Sequence, residues 1–179
     1  GKIGFCGDTF SYQSYRDILK STGTRLLITT VDFIGDIWED RPNLPSDKVF
    51  VHEQEYSGTT PKERIEKLRK DMKKNGIDYY LVSAVDEVCY LYSIRGNDVE
   101  CNPVALAYGL VSQKDAIIYI DENKVDEEVQ KHFKDNSISI KAYNDISEDL
   151  SNIEGKNTIF FDPRTVNISL INNIKSNVT

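Results

Sequence analysis

The chain has 179 residues, 39% hydrophobic and 28% charged, with a formal net charge of -7. That length suits one domain, or one domain plus part of another, and it can bury roughly 70% of its unfolded surface without help from disulfides. The acidic balance excludes nucleic acid as the main partner, because phosphate binding needs a basic patch.

The opening GKIGFCGD has no signal-peptide pattern, and residues 2–6 read as a short strand. Gly4 and Gly7 do not form a nucleotide-binding glycine fingerprint. Residues 11–21 read as a helix with Tyr12, Tyr15, Ile18 and Leu19 on one face, stopped by Gly23. RLLIT, 25–29, reads as a strand. Residues 31–38 read as a short helix through Val31, Ile34 and Trp38. EDRPNLPSD then carries two prolines and several turn formers, which marks a domain boundary. VFVH, 49–52, reads as a brief strand or extended linker.

Thr60-Pro61-Lys62-Glu63 is a clear helix start: a capping threonine, proline at the first helical position, and a glutamate to complete a capping box. Ile65, Leu68 and Met72 supply the apolar face, and Gly76 ends the helix. The strand DYYLVSA, 78–84, follows at once, so helix and strand form a unit on a sheet.

Residues 86–111 hold the most informative stretch. Residues 86–94 suit a short buried helix. Residues 95–103, RGNDVECNP, are polar. Residues 104–111, VALAYGLV, are an apolar run of strand length. A polar loop held between two buried elements stays rigid while its side chains remain accessible. VALAYGLVS and AIIYID are then two strands split by Gln113-Lys114-Asp115, a hairpin-like link. Residues 124–134 read as a helix through Val125, Val129 and Phe133, and 137–142 as a strand. Residues 145–153 read as a helix, 158–162 as the last strand, and 169–176 as a final helix. The fold class is α/β with a mixed sheet, the hairpin supplying the antiparallel pair.

The chemistry of a self-contained active site is missing. His52 and His132 are the two histidines, and neither has a second ligand at metal-binding spacing. Asp121 and Glu122 end a strand and start a helix. There is no nucleophile elbow and no phosphate loop, which excludes the nucleotide-binding reading. Cys6, Cys89 and Cys101 are odd in number and lack a CxxC. Cys6 and Cys89 read as buried thiols in a reducing, cytoplasmic compartment. No apolar run approaches the ~20 residues of a membrane span.

Three blocks carry a resemblance. DFIGDIWEDRPNLP, 32–45, EYSGTTPKERIEKLRKDM, 55–72, and D-E-x-x-Y-L-x-x-I-R-G-x-D-x-x-x-N-P-V, from Asp86, occur in the order found in the N-terminal region of Xaa-Pro aminopeptidases of the creatinase/prolidase family. Cys89, Tyr90 and Ser93 depart from the residues usual there, as packing substitutions.

The resemblance implies an αβα sandwich of the creatinase/prolidase N-terminal type with a partial first lobe. Residues 1–56 would be the end of a first domain plus linker, and 57–179 a second domain. It implies a parent that releases the N-terminal residue from peptides with proline at position two. Two metal ions, manganese, would sit in a catalytic domain C-terminal to this chain, so the chain holds no catalytic residue and no metal ligand of its own. It would flank the catalytic cleft and restrict access to it. Its partners would be its own catalytic domain and peptide substrates, with no membrane and a homodimer through the partial lobe. Arg95, Gly96, Asn97, Asp98, Asn102 and Pro103 would form the wall nearest the cleft.

Two readings of Arg95 stand side by side. It projects toward a peptide carboxylate or carbonyl, or it pairs with Asp86 or Asp98 and pins the loop. A competing class is a stand-alone binding module without peptidase activity. The coding sequence downstream of Thr179 separates it from a peptidase.

Overall fold

A computed structural model describes residues 3–23, 26–29 and 32–174. Its first lobe is small. Strand β1 (Ile3–Cys6) leads through a 3-10 turn to helix α1 (Tyr12–Thr22). Ser11 caps α1 by accepting from the Ser14 amide at 3.1 Å, and Gly23, at φ 64°, ends it. Strand β2 (Leu26–Thr29) pairs parallel with β1.

The expected helix over 31–38 does not form among the described residues. Positions 33–37 are a run of turns. Gly35 sits in the middle of this run, and its amide bonds the Asp32 carboxylate at 2.9 Å. Glycine and a competing side-chain acceptor both work against a helix. The segment also lacks a surface to pack on: Phe33, Ile34, Ile37 and Trp38 are all exposed.

The second unit begins at Val49, which is 1% exposed and belongs to the main core. Strand β3 (Phe50–Val51) and a one-turn helix α2 (Gln54–Ser57), absent from the sequence reading, lead to helix α3 (Pro61–Lys74). The capping box at Thr60 and Glu63 is complete, with the Glu63 amide donating to the Thr60 hydroxyl and the Thr60 amide to the Glu63 carboxylate. Next come β4 (Tyr79–Val82), α4 (Val85–Tyr92), β5 (Ile94–Arg95), β6 (Ala107–Ser112), β7 (Ala116–Ile120), α5 (Glu127–Asp135), β8 (Ser139–Lys141), α6 (Asp145–Ser151), β9 (Ile159–Phe161) and α7 (Ile168–Asn173).

The main sheet runs β8-β7-β6-β4-β9. Its central strand β6 is antiparallel to both neighbours, β7 and β4, and each edge strand is parallel to its neighbour. Side chains alternate between the faces, as a pleat requires. Val82, Val111, Ile118 and Ile120 point to one face, covered by α3, α4 and α5. Leu81, Leu110, Tyr119 and Ile159 point to the other, covered by α6 and α7 with Tyr12 of α1. The result is the mixed-sheet αβα sandwich expected from the sequence.

Tyr92 fixes how closely α4 approaches the sheet. Its side chain is fully buried, and its hydroxyl donates to the Ile117 carbonyl at 2.8 Å. A Cβ at Gly109 would lie 2.8 Å from that hydroxyl, so only glycine leaves room for the ring.

Several boundaries shift, each for a hydrogen-bonding reason. The run from Val104 joins the sheet only at Ala107. The Val104 amide bonds the Asn102 carbonyl, the Ala105 amide the Cys89 sulfur, and the Leu106 amide the Asp98 carboxylate, so none is offered to a neighbouring strand. The helix expected from 124 starts at Glu127, where Asp126 caps it through the Val129 amide at 2.9 Å. Asp121 caps a separate 3-10 turn, Glu122–Lys124. The final helix begins one residue early because Asn167 caps it through the Leu170 amide; positions 175 and 176 of the expected span lie outside the described residues. Cys89 is buried as expected. Cys6 is only half-buried, because the lobe around it is thin.

Candidate functional site

The loop expected to carry function leaves α4 through Ser93, whose backbone sits in the left-handed region at φ 52°. That turn lets Ile94 and Arg95 run back as β5, antiparallel to β3, with Phe50 opposite Arg95 and Val51 opposite Ile94. The His52 amide adds a bond to the Ser93 carbonyl at 2.9 Å. The linker before α3 is thereby stitched to the end of α4.

Arg95 pairs with neither Asp86 nor Asp98. Its Nη1 donates to the carbonyls of Cys89 at 3.3 Å and Ile94 at 2.8 Å. It thus caps the carbonyl end of α4, where a cation also meets the favourable end of the helix dipole. The side chain is half-buried, and its Nε and Nη2 make no hydrogen bond among the described residues.

Gly96 is buried and its backbone needs no positive φ. A Cβ there would stand 3.1 Å from both the Val104 carbonyl oxygen and the Ala105 Cβ. Gly96 therefore serves the close approach of the two ends of the loop.

Asp98 is the structural anchor. Its side chain is 0% exposed and forms an ion pair with Lys124, itself 3% exposed, at 2.5 Å. The same oxygen accepts the Leu106 amide at 2.6 Å, while Oδ1 is buried without a partner. The Asp98 amide bonds the Val104 carbonyl at 3.1 Å. A buried pair of this kind fixes geometry more than it adds stability, but removing one partner strands a charge.

The rest of the loop is a tight turn. Val99 and Asn102 form an isolated antiparallel bridge, with Cys101 at φ 59° between them. Asn97, Asn102 and Pro103 are exposed, as is Cys101. The structure therefore divides the six expected residues: Gly96 and Asp98 build the loop, Arg95 ties it to α4, and Asn97, Asn102 and Pro103 face outward.

Sequence reasoning missed a second cation here. Arg64 of α3 is 8% exposed. Its Nη2 donates to the Thr59 carbonyl at 3.1 Å and to the Ser93 hydroxyl, and its guanidinium lies 4.5 Å from the Tyr90 ring centroid. Burial is the first cause that lowers its pKa, and nearby Arg95 adds to it. Arg64 stands one position before Ile65, the first core residue of α3, and the charge-rich helix hid it among solvated lysines.

His52 lies beside both arginines. Burial first, then Arg95 and Arg64, push its pKa below the ordinary value. His132 bonds the Tyr92 carbonyl through Nε2 at 2.9 Å. Among the described residues no group of three His, Cys, Asp or Glu side chains is placed to hold a metal ion. These residues do not fit a metal centre. No described helix is long and apolar enough to cross a membrane.

Comparison with known proteins adds the following. Residues 40–179 match the family described as the creatinase/prolidase N-terminal domain. The probable Xaa-Pro aminopeptidase P of Paracoccidioides lutzii is 38% identical over 138 residues, which is 76% of this chain and 22% of the relative. That of Neurospora crassa is 37% identical over 134 residues, 74% of this chain and 20% of the relative. The chain therefore spans little more than a fifth of the length of these curated relatives. The crystal structure of X-prolyl aminopeptidase from Caenorhabditis elegans, described as a cytosolic enzyme with a di-nuclear active site, superposes with a TM-score of 0.88 at 25% identity. The match covers 100% of this chain and 31% of that one.

Proposed function

Because the chain belongs to the creatinase/prolidase N-terminal domain family, we propose that it is the non-catalytic N-terminal region of a cytosolic, metal-dependent Xaa-Pro aminopeptidase. Its residues 1–56 are the end of a first domain plus linker and 57–179 a second domain, with Val49 to Val51 strapped onto the second. A catalytic domain elsewhere in the full-length protein holds two metal ions, manganese, and cleaves peptides with proline at position two. The region described here flanks that domain's cleft and restricts access to it.

The observation that carries this reading is the superposition of the whole chain on less than a third of an X-prolyl aminopeptidase. The loop geometry supports it. A wall that sorts substrates by shape must not yield, and Asp98, Gly96 and Arg95 hold this loop at three points. The exposed Phe33, Ile34, Ile37 and Trp38 support a first lobe that takes cover from another surface, a second copy when the chain is isolated. A clean monomer by light scattering at high concentration excludes that dimer.

The test of the cleft-wall role is Arg95→Ala in the full-length enzyme. The proposal expects kcat/KM for Xaa-Pro peptides to fall roughly 10- to 1000-fold, the range for losing one positioning group. If Arg95 only ties the loop to α4, the melting temperature drops and kcat/KM stays unchanged, since each lost hydrogen bond is worth about 1 kcal/mol. The isolated chain is expected to show no Xaa-Pro cleavage and to carry no stoichiometric metal. Elemental analysis finding one manganese or zinc per chain overturns that part.

A further inference from the structure

An open groove of about 310 Å³ runs between α3 and α4. Its floor is apolar, formed by Leu68, Tyr80, Val82 and Leu91, and its head is cationic, formed by Arg64 and Lys67. Two features of the head stand out.

The first is that Arg64 is more than nine-tenths buried, yet its Nε and Nη1 are buried with no hydrogen-bond partner. Buried donors of this kind are rare and cost free energy, most of all on a charged group, so each calls for a partner. The second is the sign of the surroundings. Arg41, Arg69 and Arg164 each meet a carboxylate. Neither Arg64 nor Arg95 does so among the described residues, and His52 lies beside them. Glu63, bound to Thr60, is the carboxylate that acts on Arg64 from nearby without bonding it, so Arg64 keeps donors to spare.

The groove also has a direction. Asp71 lines it two helical turns along α3 from Arg64, and Glu87 one turn along α4 from Tyr90. Repulsion from these carboxylates keeps an anion at the Arg64 end.

We propose that this groove binds the C-terminal residue of a peptide, its apolar side chain on the Leu68–Val82 floor and its free carboxylate on Arg64 and Lys67. Guanidinium donors match a carboxylate in geometry and charge. The volume admits one side chain of leucine size. Binding requires Tyr90, stacked on the guanidinium and 55% exposed, to turn aside and open Nε and Nη1. The site is built from this chain's own residues and does not depend on the peptidase reading.

The experiment titrates the 179-residue chain with N-acetyl-leucine, N-acetyl-leucinamide and acetate, and follows backbone amide resonances. N-acetyl-leucine is expected to shift Leu68, Tyr80, Val82 and Leu91 saturably. The amide should bind about 10- to 100-fold more weakly, the effect of losing a charge-assisted pair. Acetate alone should leave the floor resonances in place. Arg64→Lys retains the charge but not the fork, and should weaken N-acetyl-leucine by a similar factor. Equal binding of acid and amide, identical shifts with acetate, or no saturable shift at all would each overturn the proposal. None of these outcomes touches the cleft-wall test, which is read in the full-length enzyme.

Discussion

The described residues up to Leu44 and residues 49–174 fold by the same local rules and reach different ends. Helix α1 has a capping serine, an apolar stripe and a terminal glycine, and lacks only the capping box and N-terminal proline that α3 adds. Yet α1 buries no residue fully, whereas α3 buries Ile65 and Met72 to 2% and 1%. Beyond β2 the contrast sharpens: Ile37 is 76% exposed and Leu44 70%. The difference lies in the layers. The second unit has a five-stranded sheet with helices on both faces, so every apolar stripe meets another. Among the described residues the first lobe has two strands and one α-helix, and its stripes meet little. Local signals fix the elements, and the number of layers fixes the burial.

The largest way to break this contrast is to strand a charge in the second unit. Lys124→Ala or Asp98→Ala is expected to cost about 3–5 kcal/mol, because either leaves an uncompensated buried ion. Urea unfolding followed by far-UV circular dichroism reads this directly. A loss below ~1 kcal/mol would mean that water reaches the pair. Next comes Gly109→Ala, expected to cost roughly 1–3 kcal/mol by driving a methyl group into the Tyr92 ring. A double-mutant cycle with Tyr92→Leu should show strong coupling between the two positions.

Substitutions in the first lobe sharpen the contrast from the other side. Ile37→Ser and Phe33→Ser should shift the stability of the isolated chain by less than ~0.5 kcal/mol, the range for surface positions. The same unfolding curves check it. The smallest effect belongs to His52. Burial, then Arg95 and Arg64, hold its pKa below 6.5, so the unfolded chain binds this proton more readily than the folded one. The histidine costs nothing above about pH 6.5, and stability falls as the pH drops from there toward the folded pKa. Arg95→Ala should flatten that slope in melting temperatures taken from pH 7.5 to 5.5.

Much of the second unit was legible in the sequence. Thr60-Pro61-Lys62-Glu63 announces α3 by chemistry that needs no tertiary partner, and β6 and β7 show as two apolar runs split by a short polar link, buried on both faces of the sheet. The failures share a cause. Val104, Ala105 and Leu106 look like strand because they are apolar, but their amides are claimed by Asn102, Cys89 and Asp98. Periodicity records which side chains are buried and is blind to where an amide points. The segment 31–38 failed for the opposite reason, a helical period with no surface to bury it.

The candidate loop was found by its polarity between apolar flanks, yet the roles within it were not. Asp98 reads as a cleft-wall residue or a partner of Arg95 until Lys124, 26 positions away, is seen beside it. Arg64 has no signal in the sequence at all, since a buried arginine on a lysine-rich helix looks like any other charge.

The short edge strands have a consequence for assembly. β8 and β9 each hold three residues and close the two rims of the main sheet. A foreign strand docking on either rim would find about half the usual strand length to pair with. So short a ladder does little to offset the entropy of ordering the incoming chain. Long flat rims invite open-ended stacking, and truncated ones discourage it. Contacts that this sandwich makes with other molecules are therefore left to its helices and loops, where side chains choose the partner.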